Sequence, residues 1–248
     1  MSVKSKPVEY LCALDIEALG RVNSSPPFSV GFCHGTCWED RQKVRITMLP
    51  SFPHSYHNNH NKTIDELGIN LEDMKLDDAM SFMCENNTWN EFWSKNQNVL
   101  SDLMKEALPA KEGYRKLSDT IKQIYSVENS TESKYRVTFL GDNPAYDFSH
   151  LNAALETQCD ELPIRYSNRL TISEMRQLPR DQAALVSDGY HGIKDPSERI
   201  KYHPNAEKIE ALVKKYANHS HMPDDDAEGI YLQYLLLKDE KFLIRMQQ

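Results

Sequence analysis

The stretch "LCALDIEALG", residues 11–20, has the apolar character of a buried strand yet carries two acids, Asp15 and Glu17. Side chains on a strand alternate between faces, so residues two apart project the same way and both carboxylates leave the strand together. Two like charges buried side by side are costly unless a cation or a proton neutralises them. The pair therefore asks for a metal ion, and the rest of the chain has to supply further ligands.

The 248 residues, 40% of them hydrophobic, suffice for one large domain with a substantial core. No run of residues has the length and apolarity of a membrane span, and "MSVKSKPVEY" lacks the apolar stretch and cleavage site of a secretory leader. An intracellular, cytoplasmic protein is the expectation. Cys12, Cys33, Cys37, Cys84 and Cys159 form no paired framework, consistent with free thiols in a reducing compartment. A net charge of -8 argues against a protein that coats nucleic acid through a broad basic face. It is compatible with an enzyme whose acids hold divalent cations.

Three strand-like runs open the chain, at residues 10–16, 28–35 and 42–49, broken by "NSSPP" and "WEDR", and read as a meander. A polar loop rich in Asn, His and Pro follows, and "TWNEFWSKNQNVLSDLMKEAL" has helical spacing at Trp89, Phe92, Trp93, Val99, Leu100, Leu103 and Met104. A helix is expected over about 114–125, a buried strand over 135–141 ended by Asn143 and Pro144, a helix through "AYDFSHLNAALE" and a short strand in "LPIRYSN". Two helices, at about 205–217 and 224–237, close the chain. The order implies an α/β or α+β fold, a single domain over 1–248 with an insertion at about 50–134.

Two further places suit the chemistry that Asp15 and Glu17 begin. Asp147, in "GDNPAYDFSHLN", lies just past a strand end, where ligands gather in open α/β sheets. In "HSHMPDDDAEGIYLQYLLL", Asp226 opens an apolar helix and His221 precedes it by five residues.

D-x-E near the start, Y-D after a middle strand and H-x4-D before the last helix together resemble the three motifs of the DEDDh exonucleases, of the ribonuclease H-like superfamily, in order from Asp15 to Asp226. The resemblance implies a central mixed five-stranded sheet flanked by helices. It also implies two Mg²⁺ or Mn²⁺ ions held by Asp15, Glu17, Asp147 and Asp226, with His221 as general base. Such ions, about 3.5–4 Å apart, stabilise the attacking and leaving oxygens of phosphodiester cleavage. The implied reaction releases 5′-mononucleotides from the 3′ end of single-stranded DNA or RNA. Ala18, Leu19 and Gly20, just after D-x-E, would meet the terminal nucleotide, and Asn143 and Tyr146 would line the substrate site near the second motif. The chain departs from the family in having Ala18 where a threonine is frequent, and in the roughly 130 residues between the first two motifs. "TWNEFWSKN" resembles the tryptophan-containing helix of the branch that includes phage exonuclease A and mycobacterial exoribonucleases.

Competing readings accompany these residues. An exoribonuclease trimming RNA ends or short oligonucleotides is one alternative, and a catalytically silent interaction module on the same fold is another. The residues fit DNA and RNA alike, and equally a homo-oligomer or a replication or RNA-processing partner. Asp224 and Asp225 are ordinary helix-start acids, and His219, seven residues before Asp226, reads as a loop residue. "FCHGTC" lacks a second ligand pair at zinc-finger spacing and reads as strand and turn thiols. His54, His57 and His60 read as solvent-facing, and Trp89, Phe92 and Trp93 as core in preference to base-stacking surface. Lys194, Arg199, Lys201, Arg165 and Arg169 are candidate phosphate contacts, each also readable as a solvated surface charge.

Overall fold

A computed structural model describes residues 7–20, 27–49, 88–129, 135–141, 144–159, 164, 169–171 and 205–248. Strands β1 (Val8–Ala18), β2 (Pro27–Gly35) and β3 (Gln42–Thr47) form the antiparallel meander read from the sequence. Strand β4 (Tyr135–Gly141) then pairs parallel to the other side of β1, and β5 (Arg169–Thr171) parallel to β4. The sheet order is β3-β2-β1-β4-β5, four long strands and a three-residue fifth, with β2 antiparallel to its neighbour β1. This mixed sheet with helices on both faces agrees with the central mixed sheet flanked by helices expected from the sequence. The short strand forms at 169–171, just after the stretch 162–168 where it was expected, of which only Ile164 is among the described residues.

Strand parity assigns β1 to two cores. Cys12, Leu14 and Ile16 face helices α2 (Ala110–Asn129) and α3 (Pro144–Cys159), in a cluster with Phe32, Ile46, Val137 and Phe139. Helix α2 contributes Tyr114, Leu117, Ile121 and Ile124, spaced by three, four and three residues on one face. Each such side chain stabilises the fold by about 1.5–3 kcal/mol. On the opposite face Leu11 and Ala13 meet Ala227, Ile230, Tyr231 and Tyr234 of helix α5 (Pro223–Lys238). Helices α4 (Ala206–Tyr216) and α6 (Glu240–Met246) cover the outer side of α5 through Ile209, Leu212, Phe242 and Leu243. Helix α6 continues the chain beyond the last helix read from the sequence.

The helix expected over 88–108 is broken. Residues Trp89–Trp93 form a π-helix, Lys95 and Asn96 donate back to the carbonyls of Phe92 and Trp93, and helix α1 occupies Gln97–Lys105. A tertiary anchor accounts for the break. Trp93 is buried against Phe28, with ring centroids 5.3 Å apart, and its indole N–H donates to the Ala18 carbonyl at 3.2 Å. No helix among the described residues is long and apolar enough to cross a membrane.

A very close approach between elements lies where α5 begins. A Cβ at Gly31 of β2 would fall 1.9 Å from the Pro223 carbonyl carbon and 2.1 Å from the Asp224 amide nitrogen. Those neighbours are backbone, so no rotamer change relieves the clash. Gly31→Ala is expected to destabilise the protein by ~3 kcal/mol, the upper part of the overpacking range. Gly229→Ala, within α5, meets nothing closer than 3.9 Å and is expected to stabilise by ~1 kcal/mol through helix propensity. Chemical denaturation of both variants checks the pair, and equal midpoints would show that α5 is not seated on Gly31.

Candidate active site

Asp15 and Glu17 continue the odd series of β1, so both project toward the face that α5 covers. Asp15 pairs with Gly31 and Glu17 with Ser29, and the register shifts between Glu17 and Ala18. The strand thus loses its regular pairing just after the second acid, as strands commonly do beside functional sites. Because the α5 backbone touches Gly31, the partner of Asp15, the first turn of the helix is held directly beside the acids. Carboxylate oxygens of Asp15, Glu17 and Asp226 all lie within 4.8 Å of one another.

Three successive aspartates open α5, and cations on β3 sort them. Arg45 donates to Asp224 at 2.9 Å, Lys43 to Asp225 at 2.6 Å, and Lys43 and Arg41 to Glu228 at 3.0 and 2.6 Å. Asp225 also accepts from Ser220 Oγ at 2.8 Å and Asn218 Nδ2 at 3.3 Å. Burial alone would raise its pKa, but the Lys43 ammonium and the Ser220 hydroxyl outweigh it and hold the carboxyl below its usual range. With its neighbours turned to β3, Asp226 is left to face β1 and the loop before α5, at the spacing from His221 that the sequence singles out.

In that loop His221 Nδ1 lies 4.0 Å from Asp226 Oδ2, and His219 Nδ1 lies 3.0 Å from Asp226 Oδ1. His221 adopts φ 57°, a left-handed conformation uncommon outside glycine. Its ring packs perpendicular to that of Phe92, with centroids 5.0 Å apart and planes at 87°. The π-helical segment therefore touches the site twice, through Trp93 at Ala18 and through Phe92 at His221. Sequence reading placed both aromatics in the core, which holds for Trp93, while Phe92 is half-buried against the histidine. His219, read as a loop residue, also belongs to the cluster, and the H-x-H spacing ahead of the acids was its signal.

Asp147 lies in the first turn of α3, buried, where the helix dipole favours a carboxylate. A Cβ on Gly141, the last residue of β4, would stand 3.3 Å from Asp147 Oδ2, so the acid packs over that strand end. Burial pushes the Glu17 carboxyl well above its usual pKa, and the charges of Asp15, Asp226 and Asp147 push the same way. Burial likewise raises Asp226, opposed by His219 and His221. All five residues of the three motifs thus gather at the ends of β1 and β4 and the start of α5. Asp15, Asp226 and Asp147, which together raise the proton affinity of Glu17, form with it a donor set suited to hard divalent cations, the β3 cations being bound to other acids.

The proposed nucleotide contacts fare differently. Leu19 is fully buried beside the acids of β1. Ala18 and Gly20 are tied down through their carbonyls, by Trp93 and by the Tyr146 hydroxyl at 3.4 Å. Asn143, Lys194, Arg199, Lys201, Arg165, His54, His57 and His60 lie outside the described residues, as does the side chain of Arg169. In "FCHGTC", Cys33 is buried on the α5 face and Cys37 is exposed, while His34 Nδ1 bonds the Tyr10 hydroxyl at 2.8 Å on the other face. Adjacent strand residues cannot converge on one ion, in agreement with the reading as structural thiols. A groove of about 460 Å³ runs from Asp15 and Asp226 between α4 and α5, past His219 to Lys214 and Gln233.

Raised acid pKa values cost stability at neutral pH. The Glu17 carboxyl holds its proton more tightly folded than unfolded, so its contribution is most favourable at and below the ordinary carboxylate range and is lost as pH rises through the folded value. In chelator, Glu17→Gln is expected to be more stable than the parent at pH 8, by ~1.4 kcal/mol for each tenfold rise in proton affinity that folding imposes. The gap should close toward pH 4, and Mg²⁺ should stabilise the parent but not the variant. Denaturation at the two pH values, with and without Mg²⁺, measures this; a variant less stable at pH 8 in chelator would contradict it.

No family model matches the sequence, and no curated protein matches it. Among solved structures, the nuclease domain of 3'hExo, a DEDDh family member, bound to rAMP, superposes with a TM-score of 0.49 at 13% identity, covering 93% of this chain and 92% of that chain.

Proposed function

We propose that the protein is a metal-dependent 3′-to-5′ exonuclease that hydrolyses single-stranded nucleic acid to 5′-mononucleotides. One observation carries the reading: Asp15, Glu17 and Asp226 bring carboxylate oxygens within 4.8 Å of one another from two separate elements, with His221 Nδ1 4.0 Å from the same Asp226. A structural role leaves such a cluster unexplained, since like charges gathered without a cation oppose folding.

Asp15, Glu17 and Asp226 would hold one Mg²⁺ or Mn²⁺, and Asp147 with Asp15 a second. When bound, the ions supply a nucleophile at neutral pH and stabilise charge on the attacking and leaving oxygens. The chain's own residues do the rest. His221 accepts the proton of the attacking water, a task for which imidazole is suited near neutral pH. Its ring is steadied by the perpendicular contact with Phe92. As the water oxygen bonds to phosphorus, the bond to the leaving 3′-oxygen breaks. The terminal residue departs as a 5′-mononucleotide, leaving a new 3′-hydroxyl on the shortened strand. Asp225 and Glu228, held by Lys43, fix the pitch of α5 and so the reach of Asp226. The Trp93 bond to Ala18 fixes the strand end beyond Glu17.

Single-stranded DNA and RNA oligonucleotides carrying a 5′ label, incubated with Mg²⁺ or Mn²⁺, are expected to yield a ladder shortened from the 3′ end that chelator abolishes. Asp226→Asn, Asp147→Ala and His221→Ala should fold normally and lower turnover, the histidine variant by ~10²–10⁴-fold as for loss of a general base. Comparison of the two ladders identifies the preferred sugar. Normal turnover in any of the three variants removes that residue from the site, and no cleavage of either strand by the folded parent rejects the nuclease reading.

A further inference from the structure

His219 is unused by the proposed reaction, yet it stands in the same cluster. Ligating atoms of His219, His221 and Asp226 lie within 4.8 Å of one another, a second group that shares only Asp226 with the three-carboxylate group. The two imidazole rings are 4.7 Å apart, and His219 is 76% exposed against 36% for His221, so the group opens to solvent.

Zinc held tetrahedrally by nitrogen and oxygen arms of 2.0–2.2 Å places its ligating atoms about 3.3 Å apart. The two histidine-to-aspartate distances, 3.0 Å to Oδ1 and 4.0 Å to Oδ2, bracket that value, and with ligating atoms of all three residues within 4.8 Å of one another, side-chain adjustment brings them onto one ion. Two imidazoles and one carboxylate are a donor set that zinc uses with its fourth position open to water. Magnesium prefers oxygen ligands and near-ideal octahedral geometry, so the histidines discriminate between the metals in a way the carboxylate group does not. In the metal-free protein a hydrogen bond joins His219 Nδ1 and Asp226 Oδ1 across 3.0 Å, and the incoming ion takes its place.

We propose that His219, His221 and Asp226 form a second metal site that takes Zn²⁺, and that Zn²⁺ there silences cleavage by engaging the imidazole of His221 and drawing Asp226 from the three-carboxylate group. The binding claim stands on the geometry alone; the silencing claim rests on the nuclease reading above.

The test separates the two. Zn²⁺ is titrated into the metal-free full chain in competition with a chromophoric chelator, in millimolar Mg²⁺, and Co²⁺ is titrated in parallel for its visible absorption. One Zn²⁺ per chain is expected, with a Co²⁺ spectrum of low coordination number carrying nitrogen ligands. His219→Gln should weaken binding by at least ~10-fold, since even supporting residues of metal sites contribute that much. Its high exposure leaves the fold intact, which circular dichroism verifies. Asp15→Asn, which removes a ligand from the carboxylate group alone, should retain Zn²⁺. In the cleavage assay the Zn²⁺ concentration for half-inhibition should rise in His219→Gln by the same factor, each variant being scaled to its own rate in Mg²⁺. Absence of Zn²⁺ binding, or binding that His219→Gln leaves unchanged while Asp15→Asn abolishes it, overturns the site. Zinc binding with the expected variant pattern in a chain that cleaves nothing supports the site and rejects the nuclease reading instead.

Discussion

The seating of the first turn of α5 on Gly31 is the constraint from which the rest of the structure follows. The contact is backbone to backbone, possible because β2 has no side chain at the position paired with Asp15. It sets the distance between two elements about 200 residues apart in sequence, and with it the distance between Asp226 and the acids of β1. Nothing in the carboxylates themselves would hold them there. Burial and mutual repulsion raise the proton affinity of Glu17, so the acids push apart while the apolar contacts of Ala227, Ile230, Tyr231 and Tyr234 hold the helix down. Local electrostatic cost balanced by packing elsewhere is the usual economy of a site built for a charged ligand.

The cations of β3 make that balance specific. Lys43 and Arg45 lie on one face of the strand, opposite Val44 and Ile46, Arg41 immediately precedes it, and each bonds an acid of α5. A row of charges on a half-buried strand and a run of acids at a helix start are separately unremarkable. Together they decide which aspartate of three points inward. Rotation of the helix by one residue would put Asp225 against β1 and leave Lys43 without its carboxylates, so the ion pairs act as a register device, the best-attested use of partly buried charge.

Much of this was legible in the sequence, and the reasons it was legible are physical. Period-two alternation fixed that Asp15 and Glu17 share a face; that α5 covers this face through Leu11 and Ala13 is seen only in the fold. The five-residue spacing selected His221 and Asp226. Gly31 was not legible, because a glycine inside a strand signals close approach without naming the partner. The burial of Leu19 was not legible either, because the sequence shows an apolar residue beside the acids but not the packing that closes over it. Phe92 and Trp93 share a helical pattern that fits core and stacking roles alike; only tertiary contact separates the residue anchored at Ala18 from the one against His221.

The π-helical segment shows how residues between the motifs bear on the site. Trp93 bonds the carbonyl just beyond Glu17, where regular pairing of β1 to β2 shifts, and so stabilises the irregular end of the strand. Phe92, its neighbour, reaches His221, which is held at a positive φ. The π-helix widens the turn and brings two consecutive aromatics, their rings 4.7 Å apart and nearly perpendicular, onto targets that an α-helical continuation into α1 would not serve together. The break in the helix is thus the consequence of having to hold a strand end and a loop at once, and those two pieces of backbone carry the first and last of the acids and the histidine beside them.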